Sequence, residues 1–417
     1  MKRAAPLLLT LGLLGAACSG DSDESSAPAA AAATTTAPAD TAPADTTAPA
    51  DTVAPTDTTA PASTTTAAPG TTEAPTTTTA VPAPDDGYPD QPAEVPFPAA
   101  AWPTADLPAT IDRAAIDTAV DVALGAADDP KHVRSIVIAQ GGQVVYERYH
   151  PLDGPDTLFD SYSVAKSFTS ALIGLLVSDG RLALDEPAPV PAWQDPADPR
   201  HAITLRNLLQ MSSGLQWDEP GANGESDIFG MLKSPDAASY VASKPLESPP
   251  GTKWVYSTGT TALLVGIAAD ELGGCQEATD YLNLRLLDPI GISTEELITD
   301  AGGCWVGGFG ANMTAKDFAR FGLLYLRGGE WDGEQIVPTS WVDESRVPAA
   351  TSAAYGLQWW LEPERGLFRA RGLFGQEIVV VPDRDLVIVA TSASGGDPFT
   401  LIDAVLAQYG HPPASPT

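Results

Sequence analysis

Ser135-Ile136-Val137-Ile138-Ala139-Gln140 and Gln143-Val144-Val145-Tyr146-Glu147-Arg148-Tyr149, separated by Gly141-Gly142, read as a β-hairpin near the start of the foldable part of this chain. Apolar, β-branched runs on either side of two glycines carry that signature because glycine reaches the positive φ that a tight hairpin turn demands. Near the other end, Gln376-Glu377-Ile378-Val379-Val380-Val381 and Leu386-Val387-Ile388-Val389-Ala390-Thr391 flank Pro382-Asp383-Arg384-Asp385 as a second hairpin. A lone hairpin is barely stable in water. Two of them at opposite ends of one region therefore predict a single antiparallel sheet closed by the two ends. A helix over Ile111 to Gly125 precedes the first hairpin, and another from about Pro398 to Tyr409 follows the second. Between them, Asp185 to about Ala350 is helical and loop-rich. The expected fold class is α/β (α+β): a helix-flanked antiparallel sheet lobe from residues 106–180 and 350–417, and a mostly helical lobe over 181–349. A cleft between the lobes is where a site is expected.

Upstream of residue 106 the composition is of another kind. Met1 to Ala17 opens with Lys2-Arg3, continues as Leu7-Leu8-Leu9-Thr10-Leu11-Gly12-Leu13-Leu14 and ends on small residues before Cys18. This is the pattern of a secretory signal peptide, with an apolar core too short to span a bilayer. Residues 1–18 resemble a bacterial lipoprotein signal, which implies lipidation of Cys18 and a membrane tie through that anchor. Leu14 stands four residues before the cysteine where the pattern usually has three, and ordinary cleavage nearby is the alternative. Either way an exported protein is expected, as a cell-surface lipoprotein or a secreted one. From residue 19 to 105, Ala, Pro, Thr, Asp and Ser dominate, and no Lys or Arg occurs between Ala4 and Asp112. Such a segment buries too little apolar surface to offset its chain entropy, so a disordered tether is expected. Twelve of the 54 acidic residues lie in residues 21–95, and the net charge is −32, so the remainder is still strongly acidic. That excludes nucleic acid and anionic lipid as partners held by simple charge attraction.

Ser163-Val164-Ala165-Lys166 stands where Asp160-Ser161-Tyr162 gives way to an apolar helical run from Phe168 to Val177. A serine needs a nearby base and oxyanion donors to act as a nucleophile. A lysine three residues on lies on the same helix face, within reach of the hydroxyl. No other lysine of the chain follows a serine at this offset. A solvated cap serine with a surface lysine has the same pattern. Tyr256, in the rigid stretch Pro249 to Thr258 before a helix at Thr260 to Leu272, is a phenol whose proton affinity a nearby cation would lower; a packed core tyrosine is the plainer reading. Tyr281 is a rival placed in a helix. Ala370-Arg371-Gly372-Leu373-Phe374-Gly375-Gln376 supplies glycines, Gly372 and Gly375, where backbone can approach a ligand; a turn feeding a hairpin reads the same. Beyond Cys18 only Cys275 and Cys304 remain, and in an exported protein they are expected to pair. The four histidines lack metal-ligand spacing, and no Gly-x-Ser-x-Gly elbow exists, so neither a metal, a cofactor nor an α/β-hydrolase is expected.

Ser163-Val164-Ala165-Lys166, Tyr256-Ser257-Thr258 and Ala370-Arg371-Gly372 stand in the order of the three motifs of penicillin-recognising serine hydrolases: Ser-x-x-Lys, Tyr-x-Asn and Lys/His-Thr-Gly. The connecting text, Gly180 to Pro187, Ile203 to Leu215 and Thr314 to Gly322, is similar too. The chain resembles this β-lactamase/transpeptidase-like family from Ser135 to Thr391, and most the class C β-lactamase-like branch that includes 6-aminohexanoate-dimer hydrolase and related esterases. The resemblance implies Ser163 as acylated nucleophile, Lys166 as its proton partner and Tyr256 as general base and then acid. It implies an oxyanion held by the backbone N–H groups of Ser163 and Leu373. Lysine or tyrosine as first proton acceptor stays open. Thr258 replaces the amide of the second motif and Ala370 the cation of the third, with Arg371 as a neighbouring charge. These departures favour a small ester or amide substrate over a β-lactam or a D-Ala-D-Ala peptide; a non-catalytic wall-binding lipoprotein with this fold is the third reading. Trp217, Trp254 and Trp305 are candidates to line the pocket or to pack the core.

Overall fold

The computed structural model describes residues 87–99, 101–219, 226–293 and 296–411. The signal segment, Cys18 and the tether up to residue 86 lie outside the described residues. Six antiparallel strands form the main sheet: β1 (Val133–Gln140), β2 (Gln143–Tyr149), β3 (Trp360–Glu362), β4 (Leu367–Gly372), β5 (Gln376–Val381) and β6 (Leu386–Ser392). Their spatial order is β2-β1-β6-β5-β4-β3. The join between the two ends of the chain is the β1–β6 ladder, with Val133 opposite Ser392 and Gln140 opposite Leu386. At the first hairpin Gly141 and Gly142 have φ of 58° and 72°, which a residue bearing a Cβ adopts only under strain. Sequence reading overlooked β3 and β4. Ala370-Arg371-Gly372, for which a turn feeding the hairpin was the plainer of two readings, is the end of a strand paired with β5, with Gly372 opposite Gln376.

Period-two alternation explains how both faces of the sheet are covered. Ile136, Ile138, Val379, Val381 and Ile388 face two helices, α1 (Arg113–Leu124) and a C-terminal helix over Pro398–Gln408, packing against Ile116, Val120, Ile402 and Val405. Val137, Ala139, Ile378, Val380 and Val387 point the other way. They meet the helix over Ala315–Leu326, where Gly322 packs on Ile378 and Val387, and Phe321 of that helix stacks on Phe168 of α2 (Ala165–Ser178) at 3.8 Å. Every residue of α2 from Ala165 to Leu176 is buried, as a helix enclosed on all sides must be. The helical lobe, including α3 (Thr258–Leu272), continues this second cluster through Leu208, Leu263 and Leu264. One face of the sheet and the helical lobe therefore share this second cluster, through α2 and the Ala315–Leu326 helix. Cys275 and Cys304 form the expected disulfide, joining the start of a helix to a loop 29 residues later.

The boundary expected at residue 105 moves toward the N-terminus. Tyr88 donates from its hydroxyl to Asp343 at 2.7 Å, Val95 is buried, and Phe97 packs on Trp331 with ring centroids 4.9 Å apart. Arg327 donates to the Pro89 carbonyl at 3.1 Å and to Gln91 at 3.0 Å, while Trp102 donates to the Lys316 carbonyl at 3.2 Å. The physical reason is the return of aromatic residues at Tyr88, Phe97 and Trp102, which have area to bury where the Ala/Pro/Thr text has none.

Candidate active site

The nucleophile candidate sits on a tight turn. Tyr162–Val164 is a single 3-10 turn running directly into α2. Tyr162 has φ of +42°, a conformation that costs a residue with a Cβ about 1–3 kcal/mol and persists only where its surroundings enforce it. The enforcement is visible. Phe159 exchanges backbone hydrogen bonds with Met313, and the Ala311 N–H donates to Ser161 Oγ at 2.8 Å. On the other side the end of β4 presses against the turn: a Cβ on Gly372 would lie 2.6 Å from the Ser161 carbonyl oxygen and 3.1 Å from Tyr162 Cβ. Only a residue without a side chain lets strand and turn approach so closely. This brings Leu373, the residue after Gly372, beside the Ser163 turn, and the ring of Phe374 meets that of Tyr162 edge-on at 5.3 Å. Gly375 has φ of +86° and is packed against Pro398.

Lys166 lies one helical turn from Ser163 and is 1% exposed. Its Nζ donates to Ser163 Oγ at 3.0 Å, to Thr258 Oγ1 at 3.0 Å and to the Gly308 carbonyl at 2.9 Å. Burial strips water from the ammonium and lowers its pKa from 10.5 to about 8, with the nearby Glu219 carboxylate pulling the other way. A solvated surface lysine is thereby ruled out. Thr258, which stands where the family has an amide, donates from Oγ1 to Glu219 Oε1, and its backbone N–H donates to Glu219 Oε2 at 2.8 Å. Trp217 Nε1 donates to the same carboxylate.

Tyr256 joins the group through its ring, whose centroid is 4.9 Å from Lys166 Nζ. Trp254, Tyr355 and Trp360 surround it at centroid distances of 6.1, 6.2 and 5.8 Å. These aromatics form one wall. Arg371 caps it, with its guanidinium 5.5 Å from the Trp360 ring and 4.7 Å from that of Phe399. The arginine is not a free cation: it donates to Glu377 at 2.9 Å, a fully buried carboxyl that burial pushes up in pKa and that Arg369 also faces at 3.5 Å. Ala370, at the position of the family's cation, is itself buried.

The other candidates sort clearly. Trp254 belongs to the aromatic wall. Trp217 is core and support, its ring lying 2.4 Å from where a Cβ on Gly259 would be. Trp305 is buried and donates to the Phe309 carbonyl at 3.2 Å, bracing the segment that contains Gly308. Tyr281 hydrogen-bonds Asp179 at 2.7 Å beside Arg285, away from this group. Sequence reading missed Glu219, Gly308, Tyr355 and Trp360, none of which stands at a telling spacing from Ser163. Among the described residues one set of metal-type side chains gathers, His132, His150 and Asp153. The two imidazoles stack face to face at 3.7 Å, Asp153 is paired with Arg134 at 2.6 Å, and His150 uses both ring nitrogens in hydrogen bonds to backbone. In-plane lone pairs of stacked rings run parallel and do not converge on an ion.

Comparison with known proteins adds the lineage. The profile of a family described as Beta-lactamase matches residues 113–409. The 6-aminohexanoate-dimer hydrolase of Paenarthrobacter ureafaciens is 25% identical over 291 residues, 64% of this chain and 74% of that protein. A solved structure assigned as a 6-aminohexanoate-dimer hydrolase from Bacillus anthracis superposes with a TM-score of 0.60 at 26% identity, covering 76% of this chain and 88% of the other. A structure assigned as a β-lactamase from Bacteroides dorei shares the fold at 18% identity, with a TM-score of 0.59 over 72% of this chain and 99% of the other.

Proposed function

This chain belongs to the Beta-lactamase family, and on that premise we propose that it is an exported serine hydrolase that cleaves a small ester or amide through an acyl-enzyme on Ser163. The observation that carries the reading is the buried, partly neutralised Lys166 held 3.0 Å from Ser163 Oγ. Ser163 Oγ attacks the carbonyl carbon while its proton passes into the Lys166–Tyr256 pair. The backbone N–H groups of Ser163 and Leu373 hold the oxyanion, at the junction that Gly372 keeps tight. The leaving alcohol or amine takes the proton back from the same pair, Tyr256 being the donor nearest the aromatic wall. Water then attacks the acyl carbon and releases the acid.

Two features support the substrate class. The wall of Trp254, Tyr355 and Trp360 offers apolar contact, and Arg371 is already neutralised by Glu377, so the site holds no unpaired arginine there for a substrate carboxylate. The Cys275–Cys304 disulfide supports export, because such bonds persist in oxidising compartments. We extend the proposal to a lipid anchor at Cys18, to be read from the mass of the mature N-terminus.

The test is intact-mass analysis of the protein after treatment with a fluorophosphonate, comparing wild type with Ser163→Ala and Lys166→Ala. One adduct on wild type, absent from Ser163→Ala and slow to form on Lys166→Ala, is the expected result. A folded wild type that forms no adduct would overturn the hydrolase reading in favour of a binding role. Turnover of a β-lactam faster than of simple esters and amides would replace the substrate class.

A further inference from the structure

Resting on that reading of Ser163 and Lys166, we propose that Glu219, acting through Thr258, is a positioning residue that turns the proton-accepting face of Lys166 toward Ser163. Donors and acceptors around one nitrogen fix its orientation. Among the described residues Lys166 Nζ donates to three oxygens, the Gly308 carbonyl, Thr258 Oγ1 and Ser163 Oγ, with the Tyr256 ring centroid 4.9 Å away. A carbonyl only accepts. A threonine hydroxyl ordinarily does either, but here its one proton is committed to Glu219 Oε1, so toward Lys166 it too can only accept. A neutral amine has two protons and one lone pair. Both protons are claimed, by Gly308 and by Thr258, and the lone pair is left facing Ser163.

Glu219 is itself held so that it cannot release the threonine. Its second oxygen accepts from the Thr258 N–H at 2.8 Å and from Trp217 Nε1. The backbone carbonyl of Glu219 accepts from Ser226 Oγ at 2.6 Å. The pair Thr258 and Glu219 thus does with a hydroxyl and a carboxylate what the amide of the family's second motif does alone. The carboxylate adds a negative charge, which holds the pKa of Lys166 above what burial alone would give. Nothing in this requires Glu219 to touch substrate.

The two effects of the carboxylate separate in a pH profile. In Glu219→Gln the amide oxygen takes the place that accepts from Trp217 and from the Thr258 backbone. Its NH2 then donates to Thr258 Oγ1, the threonine proton swings toward Lys166, and an N–H of Lys166 turns to Ser163. Reaction with a fluorophosphonate reads this without any knowledge of the substrate: Ser163 Oγ bonds phosphorus, its proton goes to Lys166 Nζ, and fluoride leaves. Wild type should show a rate that rises with pH and levels off above about 8, the pKa of Lys166. Glu219→Gln should level off about 100-fold lower, the usual scale for a misdirected proton acceptor, and at a lower pH than wild type, because a charge that favours the ammonium is gone. A merely loosened site would admit water and move the levelling-off upward in pH. Thr258→Val should be as slow as Glu219→Gln, whereas Thr258→Asn, which restores a carbonyl acceptor, should stay within about 5-fold of wild type and make Glu219→Gln nearly silent when combined with it.

An unlabelled wild type would take down both this inference and the function beneath it. A labelled wild type with a Glu219→Gln profile of unchanged height, or one shifted to higher pH, would overturn the inference alone. Should Glu219→Gln not fold by circular dichroism, the threonine pair decides: equal rates for Thr258→Val and Thr258→Asn would sink the proposal.

Discussion

Replacing Lys166 with methionine should change how stability depends on pH, by an amount the burial of that one amine sets. In the folded protein the lysine titrates at about 8, and its ordinary value of 10.5 applies once the chain unfolds. Between those values the unfolded state binds more protons than the folded one. Stability therefore rises with pH across this window and is lowest below it, where a full ammonium must be kept out of water. The gap corresponds to about 3.4 kcal/mol below pH 7, from about 1.4 kcal/mol per decade. Integrated over the titration, roughly 2 kcal/mol of it is recovered between pH 7 and 9.5. Methionine fills similar volume with nothing to titrate, so Lys166→Met removes the slope. It also leaves the Gly308 carbonyl and Thr258 hydroxyl without their donor, at about 1–3 kcal/mol each. The sign of the offset between variant and wild type at any one pH is thus a balance of several terms, but the change of that offset with pH is not. Urea denaturation of both proteins at half-unit steps from pH 6.5 to 9.5, with the disulfide intact, measures the offset directly. Tyrosines whose pKa burial raises, such as Tyr88 and Tyr325, are common to both proteins and cancel in the difference. An offset constant to within about 0.5 kcal/mol over this range would refute the reasoning, since that is the ordinary error of such comparisons.

Gly372→Ala should slow fluorophosphonate labelling of Ser163 by up to about 100-fold, the lower end of the scale on which losing an oxyanion donor costs rate, since the donor is shifted and not removed. The new Cβ, 2.6 Å from the Ser161 carbonyl, must push β4 and Leu373 away from the Ser163 turn; unchanged labelling would remove that junction from the proposed site. Arg371→Leu should lower stability in urea by about 2–3 kcal/mol by leaving the buried Glu377 with Arg369 as its chief counter-charge. Adding Glu377→Gln should restore part of that loss, and no restoration would mean that Arg371 acts elsewhere.

What was legible in the sequence was what local chemistry determines. Gly141-Gly142 between two β-branched apolar runs signals a hairpin within fifteen residues, and Ser163 and Lys166 are brought together by helical geometry over three residues. The pairing of Cys275 with Cys304 was legible because no other cysteine follows Cys18. Glu219 was not, because its partner Thr258 lies on another element and the pair meets only through the packing of Trp217 under Gly259. The status of Arg371 was hidden for a like reason: its charge is cancelled by Glu377 across the β4–β5 ladder, a register that composition does not reveal. The edge of the fold was misplaced because a few aromatic residues in a proline-rich stretch matter more than the average around them. Tyr88 and Phe97 anchor a segment whose overall composition reads as unfolded.

The β1–β6 ladder also has a consequence in time. Its two strands are among the first and last elements of the folded region to leave the ribosome, separated by nearly the whole helical lobe. At about 5–20 residues per second, β1 and β2 wait on the order of 10–50 s for their partner. During that wait β1 presents an unpaired apolar edge, the kind of surface that invites wrong pairing. Ser163 and Lys166 are made early, but Thr258, Gly308 and Gly372 arrive one after another, and Gly372 is held in place by β5, which needs β6. A chain stopped before Leu386 is therefore not a smaller hydrolase. Its sheet edge is open, and Ser163, the proposed nucleophile, lacks the Gly372 junction until the last strand closes the sheet.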